Sequence, residues 1–391
     1  MAGTFVVVGG GLAAGRAVEE LREAGFDGRI VLFCAEDHLP YERPPLSKGY
    51  LLGNDELDVV FVHPQEWYDE HDVDVRLGTS VTGIDLAGKQ VVTDAGHESY
   101  DKLLLATGAQ PRRLDTGAAP SAYLRTIEDS QRLKESFAAG RRVVLVGGGW
   151  IGLEVAAAAR EAGCEVTVLE ALELPLVRVL GPEVAQVFAR LHQEHGVELR
   201  TGVQVTGFEV DGVVLDGDEK VTADLVVVGV GALPDTELAE AAGLAVDNGV
   251  TVDARLATSA PDVFAAGDVA NHDHPVLGRR IRVEHWDTAS AQGKVAARNM
   301  LGEGIAYDRL PYFFTDQYDL GMEYVGSAAE YDDVVLRGDV GGRVFTAWWL
   351  QGARVVAGMH VNDWDASDHL HRIVGQEVDP VALREAPLAE L

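Results

Sequence analysis

One pattern that occurs twice constrains the fold of this chain more than any other feature of its sequence. In the first copy an apolar run, Phe5–Val8, leads into a glycine-rich turn and then into a helical pattern that ends at Gly25. A second apolar run, Ile30–Phe33, follows, and Glu36 comes soon after it. Strand, glycine turn, helix, strand and acidic residue, in this order, are typical of a dinucleotide-binding fold.

The second copy keeps the same order of elements. The strand Val143–Val146 precedes a glycine turn, a helical pattern runs through Arg160, and the strand Val166–Leu169 leads to Glu170. A single glycine motif is weak support for a nucleotide site, because glycine-rich strand ends are common. Here the flanking strands, the helix and the terminal acid are present in both copies, so coincidence is a poor explanation.

Each turn carries small residues at the three positions that a bound dinucleotide requires. The first allows a tight turn, the second lets a diphosphate approach the backbone, and the third lets the helix pack closely on the strand. The helix N-terminus then directs unpaired N–H groups and a positive dipole end toward the phosphates. These positions hold Gly9, Gly11 and Ala14 in the first copy and Gly147, Gly149 and Gly152 in the second. Two nucleotide sites are predicted, and FAD with NAD(P) is the combination that we expect.

The acidic residue that closes each copy bears on the choice of nucleotide. Glu36 is placed to accept hydrogen bonds from a ribose, and a carboxylate at Glu170 favours the free 2′-hydroxyl of NAD over a 2′-phosphate. Arg178, eight residues further on, could partly offset this effect, or could equally form a surface ion pair. We therefore expect NADH, with NADPH the less favoured nucleotide.

Composition excludes several other classes of protein. The 391 residues include 32 basic and 63 acidic ones, a net charge of −31 that argues against nonspecific binding to nucleic acid or to anionic lipid. The sequence contains no apolar run of the ~18 residues that a membrane span needs and begins with no secretory signal. We expect a multi-domain cytoplasmic protein.

Two later segments end in tight turns of small residues. One apolar run leads into Ala106, Thr107 and Gly108, and another leads into Gly267 and Asp268. Small residues let the chain approach a cofactor closely, and an aspartate can bond sugar-like hydroxyls. In isolation these segments would be ordinary turns, but behind two glycine fingerprints they predict further cofactor contacts.

Longer stretches carry a resemblance to a known family. Pro40–Lys48 (PYERPPLSK) is similar, almost letter for letter, to the flavin-site segment of the FAD-dependent ferredoxin reductases that serve cytochromes P450 and Rieske oxygenases. These enzymes belong to the flavoproteins with two dinucleotide-binding domains. Further similar segments are Gly148–Glu154, Ala265–Val269, Val283–Trp286 and Pro311–Gln317. The resemblance covers nearly the whole chain.

The resemblance implies an α/β fold with two Rossmann-like dinucleotide-binding domains and a C-terminal α/β domain. An FAD-binding domain is expected from residues 1–110 and 236–308. An NAD-binding domain, residues 111–235, is inserted between these two parts, and the C-terminal domain covers residues 309–391. These boundaries are predictions from sequence.

The resemblance also implies roles for individual residues. Lys48 takes the position of the family's lysine at the flavin N5 edge, where a cation stabilises reduced flavin, and Glu154 pairs with it near the nicotinamide. Trp286 is expected to cover the flavin or nicotinamide ring, and Glu284 to bond the carboxamide. Lys48, Glu154 and Trp286 are the predicted catalytic residues.

Other residues are expected to bind the cofactors without taking part in the chemistry. Arg43 is predicted to contact the FAD diphosphate through its planar guanidinium, and Arg113 to hold the adenosine end. His285, next to Trp286, is included without a proton-transfer role, because hydride transfer needs none from it. The remaining predicted contacts are Val81, Ile151 and Gly231.

Several residues that often carry chemistry are given no such role. Cys34 and Cys164 form no redox pair by spacing and are expected to be buried packing residues, which leaves turnover without a thiol. Asp365–His369 is predicted to be a surface loop. No metal site is expected, because the histidines, among them His63, His71, His192 and His195, lack a ligand spacing.

The predicted function is an FAD-containing, NADH-dependent ferredoxin reductase that passes single electrons to a 2Fe–2S ferredoxin serving a cytochrome P450 or Rieske oxygenase. The alternatives are an NADH oxidase or quinone reductase, and a redox-sensing flavoprotein like apoptosis-inducing factor. Because ferredoxins are usually acidic, docking on a chain of this charge requires a local basic patch. Arg279, Arg280 and Arg282 are the candidates, with Arg112 and Arg113 as an alternative. A monomer or a homodimer is expected.

Overall fold

The computed structural model describes residues 3–391, in which two strand–helix–strand units are combined with longer runs of consecutive β-strands. Within these residues the α-helices are α1 (Leu12–Glu23), α2 (Gly49–Leu52), α3 (Gln65–Glu70), α4 (Ile127–Ser136), α5 (Trp150–Glu161), α6 (Val177–Glu194), α7 (Glu237–Ala241), α8 (Trp286–Met300), α9 (Ser367–Ile373) and α10 (Pro380–Glu385). Short 3-10 helices span Pro44–Ser47, Leu57–Val60, Trp364–Ala366 and Leu388–Glu390.

The β-strands form parallel and antiparallel sheets. They are β1 (Thr4–Val8), β2 (Arg29–Phe33), β3 (Val73–Arg76), β4 (Val81–Asp85), β5 (Gln90–Thr93), β6 (Gly96–Ser99), β7 (Lys102–Leu105), β8 (Ala109–Pro111), β9 (Ser121–Ala122), β10 (Arg142–Val146), β11 (Glu165–Glu170), β12 (Glu198–Thr201), β13 (Val205–Glu209), β14 (Gly212–Leu215), β15 (Lys220–Thr222), β16 (Leu225–Val228), β17 (Ala232–Pro234), β18 (Val250–Val252), β19 (Val263–Ala265), β20 (Ala270–His274), β21 (Arg279–Ile281), β22 (Tyr312–Gln317), β23 (Leu320–Gly326), β24 (Asp333–Asp339), β25 (Val344–Gln351) and β26 (Arg354–Val361).

The chain divides into two compact units. The first unit consists of the chain up to Pro44, Glu56–Gln110 and Ala232–Arg309, and the second consists of Pro45–Asp55, Pro111–Gly231 and Leu310–Leu391. Segment 45–55 belongs to the second unit because it is anchored there. Ser130 Oγ donates to the Leu46 carbonyl over 2.7 Å, and Leu51 is buried in one cluster with Leu133. Which cofactor each segment binds remains a prediction.

The first unit is built around a parallel sheet with the strand order β19-β7-β1-β2-β3. Val6 and Val7 on the central strand β1 are fully buried, as a strand covered on both faces requires. The chain passes to β2 on one side of β1 and later to β7 on the other, so the loop after β1 lies at a topological switch point, where ligands bind in such sheets. Helices α1 and α8 pack so closely that a Cβ at Gly293 would meet the Ala13 carbonyl oxygen at 2.3 Å.

Smaller sheets complete the first unit. β4, β5 and β6 form an antiparallel sheet, and β20 pairs in parallel with β18 and antiparallel with β21. In sequence, β4, β5 and β6 lie between β3 and β7 of the main sheet, while β18 precedes β19 and β20 and β21 follow it.

The second unit repeats the parallel architecture with the strand order β12-β11-β10-β16-β9. β10 is again central, between β11 and β16, so the second glycine turn also lies at a switch point. An antiparallel three-stranded sheet, β13-β14-β15, belongs to the same unit.

The C-terminal part of the second unit is an antiparallel sheet with the strand order β22-β23-β26-β25-β24. Trp348 and Trp349 are completely buried in this part of the chain. Strand β22 packs against α5, the helix that follows β10 of the parallel sheet. Thr315 and Gln317 of β22 are also buried, because alternate side chains of a strand point to the same face.

The predicted fold class is confirmed by two parallel sheets, each with a glycine turn after its central strand. The first predicted strand–turn–helix unit is present, and its helix α1 begins at Leu12, directly after the glycines. In the second unit, strand β16 ends at Val228. Gly229 already lies in the turn, where a Cβ would stand 3.6 Å from Gly152 Cα.

The prediction of a surface loop at Asp365–His369 is wrong. These residues lie in a 3-10 helix, Trp364–Ala366, and in the following α9. The helix forms because Leu370 and Ile373 are completely buried against the C-terminal sheet. In residues 3–391 no helix combines the length and the hydropathy needed to cross a membrane.

Candidate functional site

The first glycine turn has the geometry that nucleotide binding requires. Gly9 has φ = +131°, and a Cβ there would meet the Ala106 carbonyl oxygen at 2.1 Å, so only glycine fits. Gly11 is the N-cap of α1, and, apart from Gly11 itself and its two chain neighbours, no heavy atom of residues 3–391 lies within 4 Å of a Cβ built on it. The third small residue, Ala14, is fully buried under the sheet. The turn therefore leaves its backbone open beside an uncapped helix start, where an anion is favoured.

A hydrogen-bonded group stands at the end of β2, beside this turn. Tyr41 forms a parallel bridge with Gly11, and its hydroxyl donates to Glu36 Oε2 over 2.7 Å. Arg43 donates to the Tyr41 hydroxyl over 3.1 Å, and its guanidinium lies 3.7 Å from Glu36 Oε1. The predicted ribose acceptor and the predicted diphosphate contact are thus brought together in the first unit.

The Gly-Asp turn is fixed by α1 and α8. Gly267 has φ = +80°, its N–H donates to Gln292 Oε1 over 2.9 Å, and a Cβ there would stand 3.0 Å from Ala13 Cβ. The Asp268 carbonyl accepts from the Arg282 guanidinium over 3.1 Å. Gln292 thus anchors the predicted cofactor turn, and its spacing within α8 gives no sequence signal for that role.

The Ala-Thr-Gly turn after β7 is also held from within the first unit. Thr107 Oγ1 donates to the Asp235 carbonyl over 2.7 Å, and Gly108 adopts φ = +76°. Ala106 is buried and faces Gly9. These contacts explain the small residues, whose contact with a cofactor remains a prediction.

The segment before α8 has a structural role that the sequence did not reveal. The His285 side chain is the N-cap of α8, and its Nδ1 accepts from the Asp287 N–H over 3.2 Å. Glu284 is exposed and forms an ion pair with Arg282 over 2.6 Å. Trp286 is the first residue of α8 and is half-buried.

The second glycine turn repeats the geometry of the first. Gly147 has φ = +105°, and a Cβ there would meet the Gly229 carbonyl oxygen at 2.3 Å. A Cβ at Gly152 would meet the Gly147 carbonyl oxygen at 2.2 Å, so the helix can approach the turn only without a side chain. Gly149 is the N-cap of α5, and, apart from Gly149 itself and its two chain neighbours, no heavy atom in the described part of the chain lies within 4 Å of a Cβ there. Ile151 beside it is 46% exposed.

Glu170 at the end of β11 braces the second turn. Its Oε2 accepts from the Gly148 N–H and its Oε1 from the Leu172 N–H, each over 2.8 Å. The carboxylate is therefore fixed beside the glycines. Arg178, near the start of α6, is exposed to solvent.

Lys48 and Glu154 form a nearly buried ion pair in the second unit. Lys48 Nζ lies 2.7 Å from Glu154 Oε1, and their side chains are 19% and 4% exposed. The ammonium also lies 5.5 Å from the centre of the Phe314 ring, a distance typical of a cation–π contact. The two residues, 106 positions apart in sequence, are thus adjacent as the resemblance implied.

Three buried polar residues extend this pair and were not predicted. Thr315 Oγ1 donates to Glu154, Gln317 donates to Thr315, and His192 Nε2 contacts Gln317 Oε1. The available signal was the alternation of Thr315 and Gln317, which places two polar side chains on the same face of β22. Burial lowers the pKa of His192 to about 4.

The remaining predicted contacts have ordinary surroundings. The Arg113 guanidinium lies 5.0 Å from the centre of the Tyr123 ring. Val81 begins β4 and packs on the core of the first unit. Gly231 has φ = +100°, and its carbonyl accepts from the Arg112 N–H over 2.9 Å.

Two arginines of the predicted basic patch are engaged in contacts within the first unit. The Arg282 side chain is 10% exposed and paired with Glu284. Arg280 is exposed, but its guanidinium donates to the Val252 and Asn271 carbonyls, both over 2.7 Å. Docking at this patch stays a prediction.

Neither cysteine is suited to thiol chemistry. Cys34 and Cys164 are unpaired and completely buried, which confirms their prediction as packing residues. Burial raises the pKa of Cys34 to about 12 and also raises that of Cys164. A thiol becomes a good nucleophile only as the thiolate, so both are inert at neutral pH. No cluster of three or more His, Cys, Asp or Glu side chains placed for a metal ion occurs in residues 3–391.

Comparison with protein families identifies the group to which this arrangement belongs. The model of the pyridine nucleotide-disulphide oxidoreductases matches residues 3–293, and that of the reductase C-terminal domain matches residues 312–388. The chain belongs to the pyridine nucleotide-disulphide oxidoreductase family. This oxidoreductase therefore shares the family's fold without a cysteine pair, and the resemblance to ferredoxin reductases is confirmed.

Individual relatives of this oxidoreductase match over nearly their full length. It is 44% identical to the ferredoxin–NAD(+) reductase component of the anthranilate 1,2-dioxygenase system of Burkholderia cepacia, over 92% of this chain and 90% of that protein. It is 38% identical to putidaredoxin reductase CamA of Pseudomonas putida, over 91% and 88%. Among solved structures, the covalent putidaredoxin reductase–putidaredoxin complex matches with a TM-score of 0.96 and 36% identity, over 100% of this chain and 98% of that chain.

Proposed function

We propose that this oxidoreductase is an FAD-containing, NADH-dependent ferredoxin reductase. The observation that carries the proposal is the pair of glycine turns, one in each unit, that leave backbone open at an uncapped helix start. Relatives whose names specify a ferredoxin–NAD(+) reductase and a putidaredoxin reductase support the electron acceptor.

The first unit fits FAD. An N-cap side chain at Gly11 would occupy the open space beside α1, and the first turn of α1 carries no acidic residue that would repel a diphosphate. Arg43 supplies a cation beside this turn, and Glu36 supplies a carboxylate for ribose hydroxyls. We assign FAD to this unit, with Gly267 and Asp268 as further contacts.

The second unit fits NADH. Gly149 leaves the start of α5 open in the same way, and the exposed Ile151 offers apolar surface next to it. Glu170 is held at the turn by two backbone N–H groups, which supports a role for its charge in opposing a 2′-phosphate. We therefore propose NADH as the preferred nucleotide.

The residues of the chain would position and polarise the cofactors. The bound pair supplies hydride transfer from NADH to FAD and the onward release of two single electrons. Glu154 fixes the Lys48 ammonium, and we propose that this cation stabilises negative charge on the reduced flavin. His285 caps α8 through Nδ1, which is consistent with a positioning role and no proton transfer. The inert thiols of Cys34 and Cys164 favour an external acceptor.

Steady-state turnover of the FAD-loaded full chain with a panel of acceptors tests this proposal. We expect turnover with NADH to exceed that with NADPH, and at least one small iron–sulfur protein to give saturable, salt-sensitive kinetics. A rate that is high with oxygen or quinones and unaffected by every iron–sulfur protein would contradict it and favour an oxidase or quinone reductase. Slow reoxidation after NADH together with dimerisation on a sizing column would favour a redox sensor.

A further inference from the structure

Glu154 is held on three sides, and one of its partners comes from the C-terminal sheet. Its Oε1 accepts from Lys48 Nζ over 2.7 Å and from Thr315 Oγ1 over 2.6 Å. Its Oε2 accepts from Ser47 Oγ over 2.5 Å. Because Glu154 is only 4% exposed, these donors take the place of solvent around the carboxylate.

The hydrogen bonds behind Thr315 all point in one direction. Gln317 Nε2 donates to Thr315 Oγ1 over 3.1 Å, so the hydroxyl proton of Thr315 is directed to Glu154. Gln317 Oε1 can only accept, and it lies 2.8 Å from His192 Nε2, so that nitrogen carries the proton. His192, Gln317 and Thr315 are at most 1% exposed, so water does not compete for these bonds.

The hydrogen-bonded series His192–Gln317–Thr315, here called the relay, ends at His192, which adds no charge to it. Its lowered pKa of about 4, caused by burial, keeps the imidazole neutral at neutral pH. Gln317 and Thr315 are uncharged as well. The relay can therefore orient a donor toward Glu154 while the charge of the Lys48–Glu154 pair stays unchanged.

We propose that Thr315 is a positioning residue for hydride transfer: its hydroxyl, oriented by Gln317 and His192, fixes Glu154 and thereby the place of the Lys48 ammonium. The inference rests on the proposed function. A lysine ammonium is a point charge on a flexible four-carbon stem, so its place is set by its partner. Thr315 binds Glu154 from the C-terminal sheet and Ser47 binds it from the segment before α2, which makes the C-terminal sheet part of the hydride-transfer machinery.

Removal of the Thr315 hydroxyl should slow flavin reduction without weakening nucleotide binding. Thr315→Val keeps the side-chain shape and removes the donor. Loss of a hydrogen bond to a charged group predicts a roughly 10-fold lower rate constant of flavin reduction at saturating NADH, with the Kd of NADH changed less than about threefold. A displaced Lys48 ammonium should also stabilise the reduced flavin less. A 10-fold smaller stabilisation corresponds to a two-electron midpoint potential about 30 mV more negative.

Two further variants separate positioning from a general loss of packing. Thr315→Ser retains the hydroxyl and should restore the rate and the potential to near wild-type values. Thr346→Val removes another buried threonine hydroxyl from the same sheet, one that accepts from Trp348 Nε1 over 3.0 Å. This control should lower the unfolding temperature but leave the rate constant and the potential unchanged.

The measurements are single-turnover reduction by NADH and redox titration of the FAD-loaded full chain. If wild-type flavin is not reduced by NADH, the proposed function itself fails. If the wild type is reduced and Thr315→Val matches it in rate and potential, the positioning role is wrong while the proposed function stands. The role is also wrong if Thr315→Ser or Thr346→Val is as slow as Thr315→Val.

Discussion

Two neighbouring glycines in the second turn should respond in opposite ways to the same substitution. Gly149 has φ = −79°, and beyond its two chain neighbours no other residue among 3–391 has a heavy atom within 4 Å of a Cβ there, so Gly149→Ala is compatible with the fold. Gly147 has φ = +105°, and its Cβ would stand 2.3 Å from the Gly229 carbonyl oxygen. The clash at Gly147 involves backbone and cannot be relieved by a side-chain rotation.

The magnitudes follow from these surroundings. For Gly149→Ala, the smaller entropy of the unfolded chain stabilises by about 0.4–1 kcal/mol. The poorer N-cap offsets that gain by a similar amount, ~0.5–1 kcal/mol. The free energy of unfolding should therefore change by less than about 1 kcal/mol, which shifts Tm by no more than ~4 °C. For Gly147→Ala, strained backbone alone costs about 1–3 kcal/mol, and the clash adds to it.

Unlike the free energy of unfolding, the affinity for nucleotide should be strongly reduced by Gly149→Ala. The methyl group of Gly149→Ala would stand where a diphosphate must approach the N–H groups of α5. Loss of one such bond to a charged group costs ~1.5–3 kcal/mol, which raises the Kd of NADH about 10- to 100-fold. Fluorescence titration with NADH and thermal unfolding of the same samples measure both quantities. Wild-type affinity in Gly149→Ala would refute the reasoning, because the turn would then have no part in binding the nucleotide.

Charged and buried side chains of the second unit give three further expectations. Lys48→Met leaves the buried Glu154 carboxylate without its counter-ion and should lower the free energy of unfolding by ~2 kcal/mol. Adding Glu154→Gln should recover part of this loss in urea unfolding, and no recovery would show that the pair is not coupled. Glu170→Gln removes the charge that opposes a 2′-phosphate, so the ratio of kcat/KM for NADPH to that for NADH should rise ~10-fold, and an unchanged ratio would leave Glu170 only a brace. The pKa of His192 is about 4 in the folded chain, below its ordinary 6.5, so the unfolded chain binds the extra proton. The contribution of the neutral His192 side chain to the free energy of unfolding is therefore fully present above pH 6.5. This contribution is lost, by up to about 3 kcal/mol, as the pH drops toward 4. His192→Gln should show a smaller loss of Tm between neutral pH and pH 5, and an equal loss would contradict the assignment.

The two dinucleotide folds could be predicted because their signal is local. A glycine turn, its flanking strands and the helix after it lie within about thirty residues, and the backbone conformation of Gly9 and Gly147 admits few other residues. The helix at Asp365–His369 was missed although Leu370 and Ile373 have helical spacing. Helix α9 is so short that its apolar residues are too few to reveal a helical period in the sequence.

The network around Glu154 could not be predicted from residue patterns alone. Lys48 was paired with it only through the resemblance, while Thr315 and His192 lie 161 and 38 positions away from it in sequence. Thr315 reaches the Glu154 carboxylate because β22 packs on α5, whereas His192 on α6 is linked to it only through Gln317 and Thr315. The capping role of His285 was missed for another reason, because histidine is not among the residues preferred at helix N-caps.

The most direct test of the central claim, that this chain binds a flavin which NADH reduces, is anaerobic mixing of the FAD-reconstituted full-length protein with NADH in a stopped-flow spectrometer. We predict that the visible absorption band of oxidised flavin remains with the protein after gel filtration and is bleached rapidly and completely by a stoichiometric amount of NADH. A protein that stays colourless after reconstitution, or whose flavin band persists with both NADH and NADPH, would contradict the account.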